Sequence, residues 1–220
     1  ITGGGRVAKG ALEVIEKTNI KKVSPEDFLI KDFNFPVYTQ LSVKDYVSRN
    51  DKNNFDKSVF FDNPVGHYST FMKYAKIADL YVACHYWDNR SPFIFTRKDI
   101  EHPNWKISVV ADVSCDIDGP VACTLRPSTI TNAFYGYDPK TQKEVDFHSE
   151  SSVGVMAVDN LPCELPKDAS MEFGKMFIDH VLEPITGNDP EEIIYRASET
   201  IKGKLTPHFE YLNDYLKGKD

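Results

Sequence analysis

The apolar positions change their period several times along the chain, and each change marks an element. Residues 6–18 place Val7, Ala8, Ala11, Leu12 and Ile15 on one side, with Glu13, Glu16 and Lys17 between them. That is one face of a helix at 3.6 residues per turn. Residues 20–30 read as a second strand broken by Ser24-Pro25, because proline cannot donate to a ladder. Residues 31–75 are polar and aromatic without a clean period, so loops and short helices are expected, with 43–49 one helical candidate. Near-continuous apolar runs follow at 78–85, 107–113 and 153–158, as in strands buried on both faces of a parallel sheet. Thr96 stands as the N-cap of a helix opening at Arg97. Strand, crossover and strand in repeated order predict an α/β fold, a Rossmann-like doubly wound parallel sheet.

Beyond residue 160 the period is helical throughout, which predicts a C-terminal helical extension. Asp168 reads as the cap of a helix burying Ala169, Phe173, Met176, Phe177 and Val181. Asp189-Pro190-Glu191-Glu192 is a second start, with cap, proline and helix-dipole acids in order. Gly203 is the expected end of that helix, and Thr206-Pro207 opens another. The expected division is a dinucleotide-binding domain over 1–160 and a helical tail over 161–220.

Composition changes little in this picture but excludes several classes. With 41% hydrophobic and 27% charged residues, the 220-residue chain has an ordinary globular balance. A net charge of −7 argues against a nucleic-acid partner. No run of 18 apolar residues suggests a membrane span, and no secretory signal pattern is seen. Four cysteines stand widely apart without a CxxC pair. They read as reduced thiols of a cytoplasmic protein rather than as a metal site or a disulfide scaffold.

Four stretches can carry chemistry. Gly3-Gly4-Gly5-Arg6-Val7-Ala8 is a G-x-G-x-x-A turn between a strand remnant and an amphipathic helix. Such a turn lets the backbone approach a pyrophosphate and aims helix N–H groups at it, and Arg6 adds a charged contact. The acid that would hold the adenosine ribose belongs about 20 residues on, where Glu26 and Asp27 stand. An acid there repels a 2′-phosphate, so NAD is mildly preferred over NADP. The two are otherwise solvated surface acids.

Asp112, Asp116 and Asp118 follow the second apolar run, at the edge where open α/β sheets bind ligands. Asp112, next to apolar Ala111, needs a hydrogen-bond partner if buried. His85 follows the first run and is either an acid/base or ligand group, or a loop histidine bonded to backbone. Asp159 and Asn160 end the third run before Leu161-Pro162-Cys163-Glu164-Leu165-Pro166, as a site or as a turn cap.

Three blocks together resemble one family: residues 2–11, Val110-Ala-Asp-Val-Ser-Cys-Asp116 and Val158-Asp-Asn-Leu-Pro-Cys-Glu-Leu-Pro-Lys-Asp-Ala-Ser170. The resemblance is to the C-terminal half of lysine-forming saccharopine dehydrogenases. That half is shared with lysine–oxoglutarate reductases and, more distantly, with alanine dehydrogenase and transhydrogenase. It implies an NAD(P)-dependent oxidoreductase acting on the CH–NH group of an amino acid. The resemblance puts Arg6 at the pyrophosphate, Asp116 near the nicotinamide and Asp159 in the cleft. It also implies an upstream substrate domain with a lysine and a histidine for proton transfer, so that these residues alone lack turnover. Packing of the tail onto that domain is implied as well. The first strand, of which only Ile1-Thr2 precede the glycines, reads as truncated. An alanine dehydrogenase-like enzyme and a non-catalytic dinucleotide-binding module remain alternatives, and the sequence leaves oligomers open.

Overall fold

The glycine turn hangs from a strand position shared by two neighbours. Thr2 is bridged in parallel to Leu41 on one side and to Ala83 on the other. Its amide donates to the Val82 carbonyl at 3.0 Å, and the Cys84 amide donates back to the Thr2 carbonyl at 3.1 Å. Thr2 is fully buried there. The computed structural model describes residues 1–219 and resolves two units, Ile1–Asn160 and the chain from Leu161 onward.

In the first unit the expected amphipathic helix forms as α1 (Arg6–Ile15), with Ala8 buried. The chain then departs from the expected second strand. β1 is only Lys21–Lys22, and α2 (Pro25–Ile30) starts at once. The Ser24 side chain accepts from the Asp27 amide at 3.0 Å, and Pro25 takes the first helical turn, followed by Glu26 and Asp27. Cap, proline and acids are a helix start. Pro25 therefore opens a helix instead of interrupting a strand.

Within residues 31–75 lie β2 (Val37–Tyr38), α3 (Val43–Tyr46), β3 (Val47–Arg49), α4 (Lys57–Asp62), β4 (His67–Ser69) and α5 (Met72–Ala75). β2 pairs in parallel with β1, matching Lys21 to Val37, and β3 pairs antiparallel with β4. The helical candidate at 43–49 is helix for four residues and strand for three.

The three apolar runs form β5 (Leu80–Ala83), β6 (Val109–Asp112) and β9 (Val153–Met156), with α6 (Arg97–Ile100) capped by Thr96 as expected. β7 (Phe134–Asp138) and β8 (Lys143–Val145) complete a five-stranded sheet in the order β5-β6-β9-β7-β8. β5, β6 and β9 are parallel, whereas β7 runs antiparallel to both β9 and β8. The all-parallel expectation is thus corrected at one edge, because a four-residue link such as 139–142 can join only antiparallel strands. The crossovers differ from the expectation too. α6 is a single turn, and the β7–β8 hairpin, rather than a helix, lies between β6 and β9 in sequence. The fold is mixed α/β around a mixed sheet, an arrangement compatible with a Rossmann-like domain.

One core holds this sheet. Phe71 stacks near Tyr81 and Phe95 with ring centroids 4.8 and 5.8 Å apart, and Trp105 closes on Phe95 at 4.9 Å. Val110, Val155, Tyr135 and Tyr137 continue the same cluster.

The second unit contains α7 (Pro166–Phe177), a π-helical turn (Ile178–Leu182), α8 (Glu183–Thr186), α9 (Ile193–Ala197) and α10 (Asn213–Leu216). The Asp189 carboxylate accepts from the Ile193 and Ile194 amides at 2.7 and 2.8 Å, but α9 starts only at Ile193, with Glu192 as its N-cap at φ +54°, so Pro190 and Glu191 lie in a turn before the helix and not in its first turn. Three further details differ from the expectation. Asp168 lies in the first turn of α7 instead of capping it, no residue of α7 is buried, and Gly203 does not end a helix. Lys202 (φ +50°) and Gly203 (φ +76°) instead form the turn between β10 (Thr200–Ile201) and β11 (Lys204–Leu205). Two consecutive residues at positive φ give the twist that a tight hairpin needs.

Candidate functional site

Parallel strands present their carboxyl ends at one edge, and the backbone of this chain collects most of the expected residues there. From Leu41 through Thr2, β5, β6 and β9, the strand ends deliver in turn Gln40, the glycine turn, His85, Asp112 to Asp116, and Asp159. This is the edge at which open α/β sheets bind ligands.

In the glycine turn the three glycines have different reasons to be glycine. Gly3 adopts φ +107°, and a Cβ there would run into the Cys84 carbonyl, with its carbon only 2.8 Å away. Gly3 is demanded by the fold. At Gly4 and Gly5 a Cβ would meet no protein atom within 4 Å, so the fold does not require either, and the space above them is open to a ligand. Gly5 is the N-cap of α1 without a capping side chain, and no acid lies in the first turn. The leading amides of α1, from Arg6 and Val7 onward, therefore keep their donors free for an anion. Arg6 and Val7 are both exposed at this end.

Beneath the turn runs a short polar chain. The Thr2 hydroxyl meets the Tyr81 hydroxyl at 2.8 Å and Nδ1 of His85 at 2.9 Å. His85 is 9% exposed, and its Nε2 is buried without a partner. Burial holds its pKa down at about 4, against a small opposing pull from Asp112. The imidazole is neutral at neutral pH and keeps one ring nitrogen for a further hydrogen bond. A buried polar atom left unpaired costs on the order of 1–3 kcal/mol.

Asp112 is fully buried, and its oxygens are already taken. One accepts from the Ser114 amide and hydroxyl at 3.1 and 2.5 Å and from the Cys115 amide at 3.2 Å. The other accepts from the Thr124 hydroxyl at 2.6 Å. Asp112 thus organises the 113–124 loop from within. The loop bends sharply, with Cys115 at φ +51° and Asp118 at φ +50°. Asp118 is tied to Arg97 at 2.8 Å. Asp116, between them, is partly buried, and desolvation followed by the Asp112 charge raises its pKa.

Asp116 and Asp159 flank one thiol. Cys115 donates to the Ala157 carbonyl at 3.1 Å, and its pKa is pushed up to about 11 by burial, then by Asp112, Asp159 and Asp116. The strand end before Asp159 is pinned by the Ser128 amide, which donates to Ala157 O at 2.7 Å. Asp159 itself is exposed. Two carboxylates, one partly buried and one exposed, therefore act on a protonated cysteine at this edge. Among the described residues no cluster of histidine, cysteine and acids has metal-binding geometry, and none of the four cysteines is in a disulfide.

Glu26 and Asp27 are not brought to the glycine turn. They lie on α2, and Asp27 pairs with Lys31 at 2.8 Å. Between β1 and Thr2 runs the strand of residues 37–41, so the strand end beside the glycines belongs to Gln40 and Leu41. Gln40 Nε2 donates to the Gly3 carbonyl at 3.0 Å, and the Gly3 amide donates to Leu41 O at 3.1 Å. Sequence reasoning missed Gln40, since nothing local distinguishes it. Its only signal was the apolar alternation of Val37, Thr39 and Leu41, too short to read as a strand.

Comparison with known proteins follows the same line. No family model matches the chain. The chain is 26% identical over 234 residues to the alpha-aminoadipic semialdehyde synthase of Arabidopsis thaliana, covering 96% of this chain and 22% of that protein. It is 26% identical to the mitochondrial alpha-aminoadipic semialdehyde synthase of Rattus norvegicus, over all of this chain and 27% of that protein. To the saccharopine dehydrogenase (NAD(+), L-lysine-forming) of Schizosaccharomyces pombe it is 30% identical over 105 residues, 48% of this chain and 27% of the other. The chain spans about a quarter of the length of the curated relatives it matches. Similarity to proteins of these two names agrees with the resemblance carried by the three sequence blocks. Among the described residues no helix is long and apolar enough to cross a membrane. The rat relative carries a mitochondrial name, so a cytoplasmic location for this chain has no support from the comparison.

Proposed function

We propose that the unit Ile1–Asn160 binds a nicotinamide dinucleotide at the glycine turn and forms the nucleotide-binding half of a saccharopine dehydrogenase-like oxidoreductase. The unit is read as a Rossmann-like domain, and the whole protein as acting on the CH–NH group of an amino acid. The observation that carries this is the uncapped start of α1, where Gly4 and Gly5 leave open space that the fold does not need. The residues fit the group. The α1 amides and Arg6 would hold the pyrophosphate, and His85, bonded to the Thr2 hydroxyl at 2.9 Å, would support the turn from beneath. When bound, a nicotinamide supplies a two-electron hydride acceptor, while the protein supplies position and electrostatics. Asp116 and Asp159 would orient the reacting groups or hold a proton near them. Asp112, with both oxygens engaged, holds the loop that carries Asp116. Proton transfer to the substrate itself is assigned to an upstream domain, so the 220 residues alone are expected to show no turnover with lysine, 2-oxoglutarate or alanine.

The adenosine end needs a revised reading. With Glu26 and Asp27 on α2, the mild preference for NAD loses its basis. Gln40 is neutral, and the Asp45 carboxylate just beyond that strand end is engaged by the Ser42 amide and hydroxyl at 2.7 and 2.9 Å. NADPH is therefore expected to bind at least as tightly as NADH in direct titration at low salt. An NADH affinity more than about tenfold higher, equivalent to ~1.4 kcal/mol, would show an acid at the ribose after all.

Asp159 gives the test of the catalytic edge. In the complete protein, Asp159→Asn keeps the shape and removes the charge. Turnover is expected to fall ~10-fold or more, about 1.4 kcal/mol of transition-state stabilisation, with the melting temperature nearly unchanged because the side chain is exposed. A lower melting temperature with unchanged turnover per folded molecule would make Asp159 a turn cap.

A further inference from the structure

The backbone that lies against the glycine turn carries one large side chain that the fold leaves uncovered. Cys84 and His85 press on Gly3 so closely that a Cβ there would stand 3.1 Å from the His85 nitrogen. The Cys84 amide also donates to the Thr2 carbonyl at 3.1 Å, and the His85 ring meets the Thr2 hydroxyl at 2.9 Å. Tyr86 comes next, about 3.8 Å further along the chain from Cα to Cα. It is 88% exposed, more than any other large hydrophobic residue among those described.

A single exposed aromatic is ordinary on a loose loop, but residues 86–93 are tied together by their own contacts. The Asp88 carboxylate accepts from the Arg90 amide at 2.8 Å and from its guanidinium at 3.0 and 2.7 Å. The Ser91 amide donates to Asp88 O at 2.8 Å. The Trp87 ring meets Phe93 edge-on at 5.6 Å, and its Nε1 donates to Pro92 O at 3.3 Å. These contacts fix the loop and leave the Tyr86 ring in solvent. Asn89 and Arg90 nearby are exposed and polar, whereas a protein-docking patch is a contiguous apolar surface of several hundred Å². One ring with a polar surround suits a small planar ligand.

Strand order says which ligand. Thr2 is bridged to Leu41 on one side and to Ala83 of β5 on the other, so the open start of α1 lies between the strand end of Gln40 and that of Tyr86. A dinucleotide runs across such a crevice with a base on either side of its pyrophosphate. With the adenosine end at Gln40, the other base is carried toward β5. We propose that Tyr86 is the stacking platform for the nicotinamide ring. A flat ring laid on the tyrosine face removes apolar surface of both partners from water and adds the attraction of offset aromatic rings. The inference rests on the proposed binding of a dinucleotide at the glycine turn and adds to it the residue that orients the reacting base.

Tyr86→Ala, Tyr86→Leu and Tyr86→Phe are compared with the unaltered 220-residue chain by titration calorimetry. The two ligands are NADH and ADP-ribose, which keeps the pyrophosphate and the adenosine but lacks the nicotinamide. Tyr86→Ala and Tyr86→Leu are expected to bind NADH about tenfold more weakly, the scale of one base–aromatic stack, and to bind ADP-ribose as the unaltered chain does. Tyr86→Phe should keep most of the NADH affinity, because the ring and not the hydroxyl makes the stack. Melting temperatures should agree among the four proteins, since the exposed ring supports no packing. Unchanged NADH affinity in Tyr86→Ala overturns the proposal. So does an equal loss for ADP-ribose, which would mean contact with adenine or a disturbed turn. If the unaltered chain binds neither ligand, the glycine-turn reading fails and takes the proposal with it. If it binds both and the Tyr86 variants do not differ from it, the proposal alone fails.

Discussion

Gly5→Val is expected to weaken binding of NADH and NADPH by about 100-fold or more, a loss of ~2.7 kcal/mol, while the protein stays folded. Gly5 has φ −85°, which valine tolerates, and its Cβ would meet no protein atom. The cost to stability should stay within about 1 kcal/mol, the scale of an N-cap exchange. The added methyls would stand in front of the α1 amides, in the space a pyrophosphate needs. Gly3→Ala should behave in the opposite way. A side chain at φ +107° is strained and would strike the Cys84 carbonyl, so stability should fall by ~3 kcal/mol or more. Titration calorimetry and urea unfolding on the two variants separate the roles. Equal loss of stability in both would mean that Gly5 is also a requirement of the fold, and unchanged NADH affinity in Gly5→Val would remove the turn from the binding site.

Asp112→Ala should produce the larger effect on stability. Its carboxylate accepts four hydrogen bonds from Ser114, Cys115 and Thr124 at zero exposure. Removal leaves two hydroxyls and two amides without acceptors, at ~3–5 kcal/mol in total. For a unit of this size that is a fall of roughly 10 °C in melting temperature. Asp112→Asn should cost less, since an amide oxygen can keep part of the set. If Asp112 instead served the ligand directly, the alanine variant would melt near the wild-type temperature and lose only affinity.

These contrasts show what the sequence could and could not reveal. The glycine turn, α1 and the three apolar strands were legible because each rests on local chemistry: a small-residue turn, a 3.6 period, a run of branched side chains. Their order alone placed His85, Asp116 and Asp159 at one edge, since parallel strands share their carboxyl ends. The placement of Glu26 and Asp27 failed for a non-local reason. Whether a second strand lies beside the first depends on the pairing of Lys21 with Val37 and of Thr2 with Leu41, contacts distant in sequence and only a few residues long. The same holds for β7 and β8, where Tyr135 and Tyr137 alternate too briefly to mark a strand. Gly154 packs so closely on Phe147 that a Cβ would lie 2.5 Å from its ring, a constraint visible only in three dimensions. The need of Asp112 for a partner was legible, but that loop hydroxyls and amides meet it was not.

The central claim, that the open start of α1 receives a dinucleotide, is tested most directly by following backbone amide resonances during NADPH and NADH titrations of the 220-residue chain. The amides of Gly4, Gly5, Arg6 and Val7, with the His85 ring, are expected to shift together and saturably, while those of α2 move little. Shifts confined to α2 and residues 37–39, with the glycine-turn amides unmoved at saturation, would contradict it.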